Sequence, residues 1–352
     1  MSENRTIDRE QLYADLRESA AAPLWTVLSS LVSSEPNLGS QPHAWHFEDM
    51  LPLLDRSGEV ISAAEAERRV LMLENPAYPG EARITEMLYA GLQLLLPGET
   101  APCHRHSQSA LRFVLEGGGA HTAVDGEKVH MNPFDLVLTP AGRWHDHGNE
   151  GNETVIWLDG LDIPIVTAFG ASFAESFADG PAYPNAQPAG TSHAIFGENM
   201  RPLLQAEHAG RDYRSLFHYP YDRWRAALEA FSRDSDCDPR QGFAMEFIDP
   251  QTGGDVLRTI SAGVRLLRCG FATASYRTTE SQVFVGVEGH GSIHVGERQF
   301  DIGPRDIVAV PGWTERGIAA ESDLVLFDFS DRAAQRKLGL WREETVGGEA
   351  SL

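Results

Sequence analysis

Leu111-Arg112-Phe113-Val114-Leu115-Glu116-Gly117-Gly118-Gly119 returns later in the chain as Val283-Phe284-Val285-Gly286-Val287-Glu288-Gly289-His290-Gly291. In the same order, Phe134-Asp135-Leu136-Val137-Leu138-Thr139-Pro140 returns as Arg305-Asp306-Ile307-Val308-Ala309-Val310-Pro311. Each is an apolar run stopped by a Gly or Pro turn signal, and an ordered pair of such copies means two units of one design. Around the first copy lie MLYAGLQLLLPGE, HTAVDGEKVHM and TVIWLDGL; around the second lie GVRLLRCG, SIHVGERQFDI and DLVLFDFSD. Short apolar or alternating segments cut by Gly, Pro and Asp predict an antiparallel β sandwich or barrel for each unit. The fold class is mainly β.

The flanks read differently. In residues 8–33, Leu12, Leu16, Leu24, Leu28, Leu31 and Val32 recur at helical spacing and predict one or two helices. These helices cover either another element or another subunit. Gln41-Pro42-His43-Ala44-Trp45-His46 reads as an ordered arm rather than a strand. Residues 212–233 return to helical spacing, with Trp224, Leu228 and Phe231 on one face, and form a helical linker. The expected organisation is a helical arm over 1–80, a first β unit over 81–165, a linker over 166–240, a second β unit over 241–335 and a tail over 336–352.

The chain's 352 residues suit two domains with sizeable cores. Lys+Arg 29 against Asp+Glu 51 leaves a net charge of −22, which repels nucleic-acid phosphates and anionic lipid. Neither is expected as a partner, and an anionic substrate would need arginines gathered locally. The opening MSENRTIDREQLYADL is charged and has no signal-peptide core. No window approaches the run of about 18 apolar residues that a membrane span needs. Cys103, Cys237 and Cys269 fit no CxxC pattern and read as reduced thiols, so a cytoplasmic protein is expected.

The chemistry is concentrated in the first unit. Gly98-Glu99-Thr100-Ala101-Pro102-Cys103-His104-Arg105-His106 is followed by Pro140-Ala141-Gly142-Arg143-Trp144-His145-Asp146-His147-Gly148-Asn149. On a strand, His104 and His106 point to one face, and a histidine from a distant strand can complete a set around one metal ion. Imidazole suits iron, copper, zinc and nickel, and three ligands leave positions open for substrate and oxygen. Cys103 beside them reads as a small wall residue.

These two stretches resemble the cupin motifs, G(X)5HXH with Gly98, His104, His106 and Gly117 in register, and PXG(X)2H(X)3N with Pro140, Gly142, His145 and Asn149. The glutamate usual in cupins is replaced by Ala110, which implies a neutral three-histidine site. Beyond cupins in general, the chain is similar to the gentisate 1,2-dioxygenase family, which includes salicylate and 1-hydroxy-2-naphthoate dioxygenases. The resemblance rests on APLW, RRVLMLENP, PGETAPCHRHSQSALRFVLEG, LTPAGRWHDHGN, IWLDGLDIP and FHYPYDRW, spread from residue 22 to 331. It implies a bicupin fold, two double-stranded β-helices, with Fe(II) held by His104, His106 and His145. It also implies a small aromatic hydroxy acid and O2 as reaction partners and a homo-oligomer, commonly a tetramer. The implied reaction opens gentisate between its carboxyl- and hydroxyl-bearing carbons to maleylpyruvate.

In the second unit Tyr276 stands at the position of His104, Thr278 at that of His106 and Arg316 at that of His145. Three ligands are missing together, so this unit is expected to be metal-free. His290 and His294 remain there and read as surface or core histidines.

For the substrate, Arg112 is expected on the histidines' strand face by even spacing, able to grip a carboxylate with both prongs of its fork. Arg68 in the ERRVL run is a second candidate on the strength of the resemblance. Gln93 shares inward parity with Gly91 and Tyr89. His147 shares parity with His145; with a pKa near the ordinary value of about 6.5 it would assist proton transfer or bind the substrate hydroxyl. Asp159 is expected to orient a ligand or an arginine. Competing readings are a zinc or manganese isomerase, which usually keeps the carboxylate absent at Ala110; a thiol dioxygenase, which resembles a single cupin; and a non-enzymatic storage bicupin.

Overall fold

Gly117 and Gly289, which end the repeated motif, show why both copies build one fold. Their φ angles are +80° and +75°, and a Cβ would lie 2.0 Å from Thr154 O in one copy and 2.0 Å from Asp323 O in the other. Only glycine satisfies both the left-handed turn and the close approach of the next strand. The computed structural model describes residues 2–36, 39–66, 68–178, 180, 183, 186–198, 200–203 and 215–346.

The chain divides into two compact units, Met1–Leu38 and Gly39–Leu352. The first contains the helix Ser2–Glu18, a 3-10 turn at Leu24–Thr26 and a helical turn at Leu28–Leu31. Trp25 Nε1 donates to Tyr13 OH at 3.0 Å. The second unit holds both β repeats.

In the first repeat, six strands run in the order His218–Tyr219, Leu136–Thr139, Ala110–Glu116, Val155–Leu161, Tyr89–Leu95 and Val70–Met72. They pack on a five-stranded sheet in the order Ala174–Ser176, Thr100–His106, His145–Asn149, Ala120–Val124 and Glu127–His130. The second repeat copies this plan. Its six strands are His43–Trp45, Ile307–Val310, Gln282–Glu288, Leu324–Ser330, Ser261–Leu267 and Phe243–Glu246. Its five are Arg298–Ile302, Gly291–Val295, Arg316–Ala320, Tyr276–Thr278 and Glu343–Thr345, so the expected tail supplies an edge strand. The result is a bicupin. One apolar core runs from one barrel into the other, and Phe113 stacks on Phe327 with centroids 4.0 Å apart.

One expectation is corrected. His43–Trp45 is a strand, paired His43 to Ala309 and Trp45 to Ile307. It precedes the first barrel yet completes the second. His218–Tyr219 does the reverse, preceding the second barrel and pairing with Val137 and Leu136 of the first. A helix follows each exchanged strand, Phe47–Val60 and Tyr221–Asp234, and neither has a side-chain cap of its own. The receiving barrel supplies it. Phe47 N–H donates to Asp306 Oδ1 at 2.9 Å and Tyr221 N–H donates to Asp135 Oδ1 at 2.8 Å. These two aspartates occupy matched places in the repeated motif, and a carboxylate at a helix N-terminus satisfies an orphan donor and the dipole together. Trp224 and Leu228 of the linker helix are buried and Phe231 packs on the core; positions 212–214 fall outside the described residues. Among the described residues no helix is long and apolar enough to cross a membrane.

Candidate metal centre and substrate pocket

His104 and His106 lie at the end of the strand Thr100–His106, and a register shift between Ala101 and His104 sets His104 directly opposite His145. One ligand nitrogen from each of the three histidines falls within 4.8 Å of the others. The backbone decides which nitrogen points inward. Nδ1 is 2.8 Å from Pro102 O in His104, 2.9 Å from Gln108 O in His106 and 2.9 Å from Arg143 O in His145. A carbonyl only accepts, so each Nδ1 carries the proton and each Nε2 carries the lone pair.

The rings are neutral. Burial, with the charge of Arg68 next, pushes His104 down to about 3. Burial and then Arg112 push His106 down to about 4. Burial, then His104 and Arg112, hold His145 well below its ordinary value. Nε2 of His104 and of His145 is buried without a hydrogen-bond partner. Orphaned lone pairs inside a protein are costly, and a divalent cation satisfies both of these together with that of His106. The donor set therefore fits a metal ion, and being uncharged it leaves that ion's charge intact for an anionic chelator. Ala110, fully buried, supplies no fourth ligand.

Arg112 reaches this interior from a direction other than the expected one. It stands on the strand Ala110–Glu116 of the opposing sheet, not on the histidines' strand, because the chain turns after His106. Its Nε is 3.3 Å from Asp159 Oδ1 on the neighbouring strand, an ion pair without hydrogen-bond alignment, and its Nη1 donates to Thr139 Oγ1 at 2.6 Å. Burial lowers Arg112 to about 10, which leaves it charged at neutral pH. Burial raises Asp159, against the pull of Arg112 and Arg68, and Trp157 Nε1 donates to it at 3.1 Å.

His147 also departs from expectation. Burial and then Arg112 hold it well below its ordinary value, so it is not poised near neutrality. Its Nδ1 is 2.9 Å from Thr122 Oγ1, and that hydroxyl donates to Met131 Sδ at 3.3 Å. The ring is tied to Thr122 through Nδ1, and Nε2 is left buried and without a partner. The His147 ring lies 5.5 Å from that of His145 and 5.9 Å from that of Trp157. Gln93, across the ladder from Trp157, is buried with Nε2 unpaired. Arg68 is exposed, yet its charge acts on Tyr89, His104, His106, Arg112, His147 and Asp159, which places it beside the interior. Thr139, Thr122 and Trp157 escaped the sequence reading. The signal for Thr139 was present, since the repeat has Val310 in its place.

The cupin-domain family matches residues 91–161. The chain is 46% identical over 344 residues to gentisate 1,2 dioxygenase 1 of Aquipseudomonas alcaligenes, covering 96% of each chain. The chain belongs to the gentisate 1,2-dioxygenase family. It is 34% identical over 342 residues to 5-aminosalicylate 1,2-dioxygenase of a Comamonas species, covering 96% of this chain and 90% of the relative. The crystal structure of salicylate 1,2-dioxygenase from Pseudoaminobacter salicylatoxidans with gentisate adducts superposes with a TM-score of 0.88 at 32% identity, covering 97% and 94% of the two chains. The protein is a ring-cleaving dioxygenase, an oxidoreductase, and the storage and isomerase readings fall away. In this family member the second cupin sets Tyr276 opposite Arg316, as the first sets His104 opposite His145. Arg316 is buried and donates to Gln282 Oε1 at 3.1 Å and to backbone carbonyls. A buried, hydrogen-bonded guanidinium thus stands at the rung that His145 holds in the first barrel.

Proposed function

We propose that the protein is an Fe(II)-dependent gentisate 1,2-dioxygenase. It would cleave gentisate (2,5-dihydroxybenzoate) between the carboxyl- and hydroxyl-bearing carbons to maleylpyruvate. The observation that carries this reading is the set of three neutral histidines with inward lone pairs beside a buried, charged arginine. His104, His106 and His145 would hold the iron. When bound, the iron supplies a site where the substrate's electrons reach dioxygen.

The remaining work falls to the chain. Arg112 binds the substrate carboxylate through the donors left free by Thr139 and Asp159. Nε2 of His147 accepts a hydrogen bond from a ring hydroxyl and orients it; with so low a proton affinity it does not store a proton at neutral pH. Gln93 donates its unpaired amide, and Trp157 walls the ring. Arg68 at the edge draws an anion toward an otherwise acidic protein. Both atoms of O2 enter the product and no fragment of the substrate leaves. The substrates in the relatives' names share a carboxylate with an adjacent hydroxyl and differ elsewhere on the ring, consistent with recognition through Arg112, iron and His147. The second cupin is metal-free in this reading. The chain's three free cysteines and net negative charge suit a cytoplasmic enzyme, which we take to be a homotetramer.

Anaerobic Fe(II) loading followed by oxygen uptake on gentisate, salicylate, 5-aminosalicylate and 1-hydroxy-2-naphthoate tests this. Gentisate should give the fastest uptake, one O2 per substrate. Iron-replete protein that consumes oxygen with none of the four would overturn the proposal.

A further inference from the structure

Arg112 has the task of presenting a flexible side chain's charge at a fixed point, and its own strand does not fix it. We propose that Thr139 is the positioning residue for that arginine, and that its hydroxyl sets the direction in which the rest of the guanidinium fork faces substrate. The inference rests on the reading of Arg112 as the carboxylate-binding group.

The geometry is specific. Thr139 is the last residue of Leu136–Thr139, the strand beside Ala110–Glu116; the ladder pairs Ala110 with Thr139 and Arg112 with Val137. Thr139 is thus the diagonal neighbour of Arg112 on one face, within reach of a long side chain. Both residues are buried, and Nη1 lies 2.6 Å from Oγ1. Asp159 holds the guanidinium from the other flank at Nε, 3.3 Å away and poorly aligned, so it supplies charge more than direction. A β-branched threonine has a restricted χ1, which makes its hydroxyl a fixed point.

The repeat supplies an internal control. Gln282 pairs with Val310 as Ala110 pairs with Thr139, and Phe284 takes the place of Arg112. Valine has the shape of threonine without the hydroxyl. The scaffold therefore accepts either residue at this rung. The hydroxyl is present in the barrel with an arginine to hold and absent in the barrel with a phenylalanine.

Thr139→Val tests the idea with an unchanged shape that the second barrel already tolerates. Iron content should stay as in wild type, and Tm should fall by no more than a few degrees, the cost of leaving Arg112 Nη1 without its acceptor. The gentisate Kd under nitrogen, measured by calorimetry, and KM should both rise about 5- to 20-fold, less than on losing the arginine because its charge stays and only its direction is lost, while kcat changes less than about 3-fold. Thr139→Ser should restore most of the affinity. In an Arg112→Ala background, Thr139→Val should add nothing. A Thr139→Val enzyme with wild-type Kd, where Arg112→Ala weakens binding, would overturn this inference alone. A further loss on top of Arg112→Ala would likewise overturn it, by showing that Thr139 acts independently. Arg112→Ala with unaltered binding would instead remove the reading of Arg112 on which it stands.

Discussion

At the rung where His104 faces His145 in the first barrel, Tyr276 faces Arg316 in the second, and the two interiors diverge from there. Asp159 and Asp328 hold matched places, opposite Gly91 and Gly263. Asp159 takes its arginine from one neighbouring strand, at a single distance of 3.3 Å. Asp328 takes its arginine from the other neighbour, with Arg265 Nε and Nη2 at 3.1 and 2.7 Å, and receives Gln282 Nε2 as well. The second network goes on: Gln282 accepts from Arg316, and Gln241 accepts from Arg265 at 2.8 Å and from Tyr276 OH at 3.4 Å. In consequence Arg265 is raised despite burial, while Arg112 is lowered. The first interior leaves Gln93 Nε2, His104 Nε2, Arg112 Nε, His145 Nε2 and His147 Nε2 buried and unpaired. One scaffold, filled with comparable polar groups, pairs most of them in the second copy, where Thr278 Oγ1 is left over, and leaves a cluster of five unpaired atoms in the first. The incomplete copy is the one that holds the three-histidine group.

The largest effect should come from removing a ligand. His104→Ala, His106→Ala or His145→Ala should each abolish iron binding and turnover with the fold retained, read by metal analysis and circular dichroism. An iron-replete, active variant at any of the three would remove that residue from the ligand set. Next is the carboxylate grip. Arg112→Ala should raise KM roughly 10- to 150-fold, matching about 1.5–3 kcal/mol for a charge-assisted hydrogen bond, with iron content unchanged. Arg112→Lys should recover only part, because a point charge cannot replace the fork.

The second barrel should answer differently. Arg316→Ala leaves Gln282 Oε1 and the carbonyls it serves without their donor and should cost about 1–3 kcal/mol in denaturant unfolding. Iron content should stay near one per subunit and kcat near wild type. Iron falling by half would expose a second metal site. The smallest effect concerns Asp331, which begins the helix Arg332–Leu338 and is pushed up to about 7, chiefly by burial, from an ordinary 3.8. Between those values the folded chain holds a proton that the unfolded chain has lost. Stability from this group is therefore full below 3.8 and is lost as pH rises through about 7. Asp331→Asn, which cannot ionise, should match wild type in Tm only near pH 3.8 or below, gain on it steadily as pH rises toward about 7, and exceed it by a few degrees at pH 8. Parallel pH profiles for the two proteins would sink the assignment.

The repeat was legible because Glu-Gly and Asp-to-Pro signals recur at forced turns, where only one residue type fits. The three-histidine group was legible because His-x-His and a distant histidine stand in recognisable motifs, so Tyr276, Thr278 and Arg316 stood out as departures from it. What could not be read depended on distance in space. His43–Trp45 is three residues long, too short for a period of two to register, and its partner lies on the far side of the sequence. Arg112 shares parity with His106, but the intervening turn moves it to the opposite sheet, where parity no longer tells the face. The depressed proton affinity of His147 comes from burial, which no local pattern carries.

The exchanged strands have a consequence for the dissection of this chain. The first barrel's outer edge, Leu136–Thr139, is finished by His218–Tyr219, and the second's by His43–Trp45, each followed by a helix whose first amide its host must cap. Two duplicated halves fastened in this reciprocal way cannot be cut into working parts. A truncated chain ending before the linker would strip the sheet that carries Thr139, and one beginning after it would leave Asp306 with no helix to cap. Changes that unsettle the second barrel should therefore be felt in the first, because each barrel holds an edge strand and a helix cap of the other.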